Sequence, residues 1–434
     1  MRDKGVFTSL LILVAINILN FYDRHLNGAL AEPMRKEFQL TDAQLGLLGS
    51  IFIWLYAIVG IPLGRVADRW SRKLLLSGGM LIWSALTACA GLASSYSMLV
   101  VSRLGLAVGE AVVAPAATSW IGDLFSAAQR SRALALFMTG VPIGGALSYL
   151  FSGPVAQAYG WRMAMALGAA PAIVLMPALL SLAEPRRGAA DTVPDASGAA
   201  SMWSVLRIPT LWWIIASGAL LNFNMYAVGT FLPAFMSRIH HASLAESGVI
   251  TGFVYLAGGV SGGLAAGAWG DRIARRRKEG RLVSAAMIAL ATAPFAFAGI
   301  VLPHGSLGGA IALLTIAYAC LNSYYGLVYA SIQDIVAPGQ RGTAMAVYFM
   351  LMYLCGASFG PYLTGALSDF LARRAALASG SAQITEGLKA TGLQQAMLII
   401  PALSICLAAV LWGGSRTIGR DIARREEHAA KAVA

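Results

Sequence analysis

Twelve separate runs of apolar residues, each of membrane-spanning length, constrain this chain more than any other feature. A helix rises about 1.5 Å per residue, so roughly 20 apolar residues cross the hydrocarbon core of a bilayer. Lipid cannot satisfy an open backbone, which predicts that every run is helical. The predicted spans 1 to 12 are 5–31, 44–64, 74–94, 97–121, 133–157, 162–183, 210–236, 246–268, 282–302, 307–333, 342–370 and 393–414.

The composition agrees with an all-α integral membrane protein. Of 434 residues, 58% are hydrophobic and only 12% are charged, whereas soluble domains are nearer half apolar and a quarter charged. The net charge of +12 does not indicate a nucleic-acid partner, because the basic residues lie in loops, as in membrane proteins. The cysteines match no metal or disulfide spacing and are interpreted as small buried hydrophobes: Cys89, Cys320, Cys355 and Cys406.

The distribution of basic residues predicts the orientation. Twelve spans place both termini on one side, and 23 of the 32 Lys and Arg residues fall on that side. Seven fall on the opposite side, and Arg24 and Arg103 lie within spans. Because cytoplasmic loops collect positive charge, we expect both termini in the cytoplasm and a multi-pass protein of the plasma membrane, such as a bacterial inner membrane.

The chain divides into two similar halves. We predict an N-terminal six-helix bundle (1–183), a polar cytoplasmic linker (184–208), a C-terminal six-helix bundle (209–415) and a basic cytoplasmic tail (416–434). Three ordered matches relate the halves at offsets of 202 to 211 residues. They are Leu19-Asn20-Phe21 with Leu221-Asn222-Phe223, Gly64-x3-Asp68-Arg69-x2-Arg72-Lys73 with Gly267-x3-Asp271-Arg272-x2-Arg275-Arg276, and Asp123-x5-Gln129-Arg130 with Asp334-x5-Gln340-Arg341. The pattern indicates a duplicated six-helix unit.

The repeated loop between the second and third helix of each half identifies a family. The segment from Gly64 to Lys73 resembles the signature of the major facilitator superfamily, and Asn20-Phe21-Tyr22-Asp23-Arg24 together with Arg103 and Gly109-Glu110-Ala111 resembles its spinster-like branch. Ala107 stands where a glycine is common in the motif of span 4. The resemblance implies two six-helix bundles around a central cavity, alternating access, and lysophospholipid or sphingoid-type cargo coupled to protons. It also implies that the repeated loops latch the outward-open state.

Charged residues inside the first half are the strongest functional candidates, since an ionisable group in a membrane span is functional by default. Asp23 and Arg24 lie in span 1, and Arg103 and Glu110 lie two turns apart on one face of span 4. Burial disfavours an ionised carboxyl group, so these four residues are predicted to form a proton-coupling charge network. A structural ion-pair network and, for Arg103 alone, snorkelling toward the head groups remain open alternatives.

The second half offers polar and aromatic residues in place of charges. With two asparagines of span 1, they form the predicted substrate-binding set, since tyrosine combines an apolar body with a polar tip. The set is Asn20, Asn27, Asn222, Tyr226, Asn322, Tyr324, Tyr329 and Tyr353. Helix–helix packing is the alternative for each of these residues.

The two copies of the loop are predicted to form a cytoplasmic gate. Each glycine would allow close helix contact, and each aspartate could accept from amides at a helix start. The gate residues are Gly64, Asp68, Arg69, Arg72, Gly267, Asp271 and Arg272.

The predicted function is a proton-coupled secondary transporter of an amphipathic lipid-like substrate, acting as a monomer without cofactors or metals. A proton-coupled symporter of small organic anions is the main alternative, and a non-transporting membrane scaffold is a weaker one. No nucleotide-binding loop, dinucleotide fingerprint or catalytic metal motif occurs in the sequence, so we do not expect an enzyme.

Overall fold

The computed structural model of the chain describes residues 2–187, 189, 202–274, 277–337, 340–381 and 383–433. Helices dominate this part of the chain, and no strand occurs within it. Twelve helical segments are long and apolar enough to cross a membrane. Spans 1 to 12 are Gly5–Ala29, Asp42–Gly60, Arg72–Ala90, Tyr96–Leu124, Arg132–Tyr159, Trp161–Ser181, Pro209–Ile239, Leu244–Ala266, Gly280–Val301, Leu307–Ile335, Arg341–Ala378 and Glu386–Glu427.

The predicted all-α membrane fold with twelve transmembrane helices is confirmed. The last two spans extend furthest beyond their predicted limits. Span 11 continues to Ala378, and span 12 begins at Glu386. The helix Ile399–Val433 continues without a break through the segment expected to be a basic tail, because Ala, Arg and Glu residues there all favour helix.

The chain separates into two compact units. Unit 1 comprises Met1–Asp195 with Gly229–Ser237 and Ala242–Gly252, and unit 2 comprises Ala196–Val228, Arg238–His241 and Phe253–Ala434. Parts of spans 7 and 8 therefore pack with the first half of the sequence. Within unit 1, the Tyr149 hydroxyl donates to the carbonyl of Gly229 at 2.6 Å and links span 5 to the outer part of span 7.

Glycines allow close helix contacts in both units. In unit 1, a Cβ on Gly109 would lie 2.9 Å from the carbonyl oxygen of Gly79, which brings spans 3 and 4 together beside the charged residues of span 4. In unit 2, a Cβ on Gly258 would lie 2.9 Å from the carbonyl oxygen of Thr315, which does the same for spans 8 and 10. Small residues at such crossings are the usual means of packing membrane helices.

Two spans of unit 2 contain a π-helical turn. These turns are Val254–Gly258 in span 8 and Tyr353–Ala357 in span 11. Each turn carries a tyrosine, Tyr255 or Tyr353. A π-turn shifts the register of the helix and is frequent at functional sites.

The interpretation of the cysteines as buried residues is wrong for three of them. Cys89, Cys355 and Cys406 are exposed and Cys320 is partly exposed, all as free thiols. All four lie within membrane spans. An apolar run predicts that a residue avoids water, but it does not distinguish protein from lipid as the surroundings.

Candidate functional site

The centre of unit 1 contains the four intramembrane charges predicted from the sequence, which we call the charge cluster: Asp23, Arg24, Arg103 and Glu110. Nε of Arg24 donates to Oε2 of Glu110 at 2.9 Å, and the side chains are only 5% and 0% exposed. The pair joins span 1 to span 4. A buried ion pair of this kind neutralises both charges, whereas loss of either partner leaves the other uncompensated.

Aromatic rings also surround the Arg24 guanidinium. Its central carbon lies 4.6 Å from the ring centre of Phe21 and 4.2 Å from that of Tyr56. Contacts between a cation and a ring face are stronger where water is excluded. Spans 1 and 2 therefore both stabilise the positive charge that Glu110 balances.

Arg103 is buried and does not snorkel. Only 5% of the residue is exposed, and its Nη2 approaches the carbonyl oxygen of Arg24 at 3.5 Å. With the amide of Asn27 turned so that its oxygen faces the guanidinium, Nη2 of Arg103 donates to that oxygen at 3.0 Å. Its guanidinium also lies 5.3 Å from the ring centre of Phe52. The alternative in which Arg103 reaches the head groups is wrong because span 1 supplies partners within reach.

Asp23 differs from the other members of the charge cluster. It is 1% exposed, and neither carboxyl oxygen has a hydrogen-bond partner among the described residues. Trp83 interacts with the carboxyl group, and Glu110 and Arg103 act on it electrostatically. Its carboxyl group is therefore fully buried, with an acidic neighbour, a basic neighbour and the Trp83 side chain close to it.

The asparagines of span 1 have different roles. Asn20 is 1% exposed, and its amide nitrogen has no hydrogen-bond partner in the described part of the chain. Asn27 contacts Arg103, as described above. Asn17 instead donates to the carbonyl of Phe137 at 2.8 Å and contributes to packing. The polar face of span 1 is thus part charge cluster and part helix contact.

Unit 2 contains a group of rings in spans 7, 10 and 11, which we call the tyrosine cluster: Tyr226, Tyr324, Tyr325, Tyr329, Tyr348, Phe349 and Tyr353. The ring centres of Tyr325 and Tyr329 are 5.5 Å apart, and those of Tyr329 and Tyr348 are 5.6 Å apart. Tyr226 and Tyr353 form a further edge-to-face pair at 6.2 Å. These separations are in the favourable range for aromatic pairs.

Neutral hydrogen bonds connect members of the cluster to each other and to neighbouring polar residues. The hydroxyl groups of Ser217 and Tyr324 are 2.7 Å apart, and the Tyr348 hydroxyl donates to that of Tyr324 at 3.2 Å. The hydroxyl of Tyr325 donates to Oδ1 of Asn222 at 3.2 Å. Sequence reasoning missed Tyr348 and Ser217, because neither belongs to a polar run.

Asn322 forms its hydrogen bond with a different span. Its amide donates to the carbonyl of Gly259 at 2.7 Å, a contact between spans 10 and 8. The other five predicted substrate residues of unit 2 are members or hydrogen-bond partners of the tyrosine cluster: Asn222, Tyr226, Tyr324, Tyr329 and Tyr353.

Arg72 of the predicted gate is fully buried at the start of span 3. Its guanidinium donates to Oε1 of Glu184 at 3.1 Å and to Asp123. It also donates to the Ser119 hydroxyl at 3.1 Å and to the carbonyl of Pro185 at 2.8 Å. One side chain therefore ties span 3 to the end of span 4 and to the segment after span 6.

Glu184 caps the start of span 3. Its carboxylate accepts from the Ser71 hydroxyl at 2.5 Å and from the backbone amides of Arg72 at 2.9 Å and Lys73 at 3.3 Å. Partial burial opposes ionisation, but these hydrogen bonds and that from the Arg72 side chain outweigh it and lower the pKa of Glu184. An anion at a helix N-terminus is favoured by the helix dipole. Sequence analysis missed this residue, since Glu184 reads as part of a polar linker.

The other gate residues are less informative. Arg69 and Arg272 are exposed. The side chains of Asp68 and Asp271, and the surroundings of Gly267, lie outside the described residues. The close helix contact expected at Gly64 is absent, since a Cβ there would meet no atom of the described chain within 4 Å.

Comparison with known proteins identifies the family. The sequence profile of the Major Facilitator Superfamily matches residues 11–361. The chain belongs to this superfamily. An MFS-type efflux pump of Mycolicibacterium smegmatis is 32% identical over 415 residues, covering 95% of this chain and 93% of the relative. Human protein spinster homolog 1 is 28% identical over 391 residues, covering 83% of this chain and 73% of the relative.

A solved structure resembles this chain over nearly its full length. It is a bacterial homologue of the human lysosomal transporter Spinster in an inward-facing and unoccupied conformation. The TM-score is 0.84 at 27% identity, with 96% of this chain and 98% of the other covered. The sequence-based assignment to the spinster-like branch is confirmed. The chain is therefore a multi-pass membrane transporter, and its family is not one of enzymes.

Proposed function

We propose that this transporter couples proton movement to the transport of an amphipathic lipid-like substrate by alternating access. The observation that carries the proton coupling is the environment of Asp23. An ionised carboxylate that is only 1% exposed is costly unless it is fully paired and hydrogen-bonded, and the nearby carboxylate of Glu110 adds to that cost. Proton uptake removes the negative charge, so the protonation state of Asp23 can be linked to the conformational state of the transporter.

Glu110 and Arg24 are the second component of this mechanism. Their ion pair is favourable only while Glu110 is ionised. With both carboxyl groups ionised, the two acids of the cluster balance its two arginines, and a proton on either carboxyl group leaves a net charge of +1. A cluster that becomes more positive on protonation attracts an anionic head group, which is a physical basis for symport.

The apolar part of the cargo is proposed to contact the tyrosine cluster of unit 2. Buried rings with few polar groups favour methylene chains, and each buried methylene contributes about 0.8 kcal/mol. The lysophospholipid and sphingoid class is what the resemblance of Asn20-Phe21-Tyr22-Asp23-Arg24 to the spinster-like branch implies. A small organic anion is the alternative, since Arg24 or Arg103 alone offers a cation for a compact acid.

The remaining expectations are part of the same proposal. We propose that both termini lie in the cytoplasm, that the protein works as a monomer in the plasma membrane, and that segments 1–183 and 209–415 move as two bundles joined by 184–208.

Asp68 and Asp271 are proposed to latch the cytoplasmic side. Spin-label distances across the cytoplasmic ends should therefore lengthen in Asp68→Asn, and unchanged distributions would contradict the latch.

A flux assay tests the function directly. Purified protein in liposomes is supplied with a lysophospholipid, a sphingoid phosphate or a sugar acid, with and without an inward proton gradient. We expect gradient-dependent accumulation of the lysophospholipid or sphingoid phosphate, abolished by a protonophore. Accumulation that ignores the protonophore would contradict proton coupling, and absence of flux with every cargo would contradict transport of these classes.

Chain length separates the two cargo classes. Adding two carbons to the acyl chain should tighten binding by up to about fifteenfold until the apolar tract is filled. A flat response to chain length, with tight binding of a sugar acid, would exclude the lipid proposal and support small organic anions.

A further inference from the structure

One face of span 12 changes from apolar to basic without a break in the helix. Ile405 and Trp412 are 52% and 48% exposed. Arg416 and Arg420 follow at intervals of four residues and are also exposed, and the Arg424 side chain is 68% exposed. Residues four apart lie on nearly the same side of a helix. Toward the C-terminus, the exposed residues of this face therefore change from aliphatic to tryptophan and then to arginine. We call these arginines the arginine row: Arg416, Arg420 and Arg424.

Contacts with span 7 fix the depth at which this change occurs. The two helices are antiparallel, since Asn224 donates to the Ser404 hydroxyl at 3.2 Å and Thr210 pairs with Thr417 at 2.7 Å. Between these contacts, Trp213 packs so closely on Gly413 that a Cβ there would lie 2.9 Å from its ring. Trp412 therefore lies level with Trp213.

Exposed tryptophans mark this level as the membrane interface. Trp212, Trp213 and Trp412 are 50%, 40% and 48% exposed, and tryptophan is enriched where the hydrocarbon meets the head groups. Arg416 lies one turn beyond Trp412, about 6 Å along the axis. The arginine row therefore begins at the depth of lipid phosphates.

The helix that carries the row is docked to the rest of unit 2. Asp421, 6% exposed, accepts from the backbone amide of Thr210 at 3.0 Å and from its hydroxyl at 2.6 Å. Ile418 and Ile422 are 1% and 6% exposed. One side of the extension is thus held against span 7, and the arginines occupy the other side.

Among the described residues, the acidic side chains of the extension pair with Arg424 of the row but not with Arg416 or Arg420. Asp421 faces span 7 and forms an ion pair with Arg424 at 4.0 Å. Glu426 binds Lys278 at 2.7 Å. Within the described chain, Arg416 and Arg420 make no ion pair. An acidic protein could match the charge, but the row continues a lipid-facing surface past a tryptophan level, which favours lipid.

We propose that the arginine row binds the phosphate groups of anionic phospholipids where span 12 leaves the bilayer. A guanidinium matches a phosphate with two parallel hydrogen bonds. Basic residues next to a span attract anionic lipids. The proposal is independent of the transported cargo, because the row lies outside both the charge cluster and the tyrosine cluster.

The test compares lipid preference in nanodiscs, using the full-length chain and spin-labelled phosphatidylglycerol and phosphatidylcholine. The parent should prefer phosphatidylglycerol, and the Arg416→Gln/Arg420→Gln variant should lose about fivefold in preference per arginine at low ionic strength. Added salt should weaken the preference of the parent, whereas a few millimolar inorganic phosphate should not, because the bilayer concentrates the lipid head groups. Loss of the preference to free phosphate would instead indicate a site for soluble phosphate.

A matched control removes two charges elsewhere. Arg373 and Arg374 are exposed at the far end of span 11, so Arg373→Gln/Arg374→Gln should keep the parental preference. An equal loss in both variants would mean that only net charge matters and would overturn the proposal. Unchanged preference in Arg416→Gln/Arg420→Gln would also overturn it. Should that variant not fold, Arg416→Lys/Arg420→Lys must retain most of the preference and the parent must still lose it in salt.

Discussion

The two halves share a repeated six-helix pattern, but one half buries charged residues where the other has apolar or aromatic ones. By the offset that relates Asn20 to Asn222, Asp23 and Arg24 correspond to Met225 and Tyr226. By the offset that relates Asp123 to Asp334, the counterparts of the span 4 charges are leucines, with Arg103 matching Leu314 and Glu110 matching Leu321. All four charges of unit 1 are therefore replaced by apolar or aromatic residues in unit 2.

This difference assigns separate chemistry to the units. Unit 1 holds buried groups whose charge changes with a proton, whereas the hydrogen bonds within the tyrosine cluster of unit 2 are between neutral groups. Neutral hydrogen bonds do not respond to pH in the physiological range, since tyrosine ionises near pH 10 in water. We expect pH dependence to belong to unit 1 alone, and the predictions below test that division.

Loss of the Asp23 carboxyl group should have the largest effect. In Asp23→Asn, gradient-driven accumulation should fall to the level of protein-free liposomes, because the amide cannot take up the coupling proton. Exchange of cargo without a gradient should persist. Asp369→Asn, which removes a half-buried carboxyl group of unit 2, is the control and should accumulate cargo normally. Normal accumulation by Asp23→Asn under a pH gradient would refute its role.

The Arg24–Glu110 pair should be both a stability element and a pH-sensitive one. Removing one partner of a buried pair costs about 3–5 kcal/mol, so Glu110→Gln should lower the unfolding temperature in detergent and alter the pH profile of transport. Arg24→Gln combined with Glu110→Gln should cost less than the two single changes together, because no buried charge is left unpaired. Reduced stability with an unchanged pH profile would favour a purely structural pair.

The Arg–Asp ion pairs at the starts of spans 3 and 9 allow a second comparison of the two units. Arg281 binds Asp334 as Arg72 binds Asp123. However, the side chain of Arg72 is 0% exposed and that of Arg281 is 18% exposed. Arg72→Gln should therefore cost on the order of 3 kcal/mol in unfolding free energy, and Arg281→Gln about 1 kcal/mol. Similar losses in chemical denaturation would show that burial does not set the difference.

Glu184 gives this comparison a pH signature. Its pKa in the folded protein is lower than the ordinary value of 4.5, so its stabilising effect is complete above that value and is lost as pH falls through the lowered pKa. Glu184→Gln should destabilise by about 1–2 kcal/mol at pH 7. The difference from the parent should stay constant down to about pH 5 and shrink below 4.5, measured by thermal unfolding. A difference that grows on acidification would contradict the direction of the shift.

The membrane fold, the spinster-like branch and the members of the charge cluster could be predicted from the sequence. An ionisable residue inside a membrane span, such as Asp23 or Glu110, has few roles other than a functional one. The sequence did not predict which residues become partners. The loop repeat at an offset of 203 pointed to Arg275 as the counterpart of Arg72, but Arg281 makes the equivalent pair with Asp334. The connection before span 9 is longer than that before span 3, so the first turn of the helix, not the loop motif, supplies the arginine. The spacing of residues predicts which face of a helix they occupy, but the length of the preceding loop determines which residues that face contacts.

The smallest loss of stability is expected for a substitution in the tyrosine cluster of unit 2. Tyr325→Phe removes the hydrogen bond to Asn222, but the Asn222 amide keeps its donation to the carbonyl of Gly218 at 2.8 Å. The ring remains to contact a neighbouring ring, so the loss should be about 1 kcal/mol in unfolding free energy, similar in direction at every pH tested. Tyr159→Phe, at a residue that is 73% exposed, should change nothing.

The informative measurement for Tyr325→Phe is the pH profile of transport together with the dependence of binding on acyl chain length. If unit 2 contacts only the apolar part of the cargo, the variant should keep the parental pH profile and the parental gain per added carbon, with a modest change in overall affinity. A displaced pH profile would mean that a neutral hydroxyl of unit 2 takes part in proton movement. The prediction that pH dependence belongs to unit 1 alone would then be wrong, because proton movement would require groups from both halves of the duplicated fold.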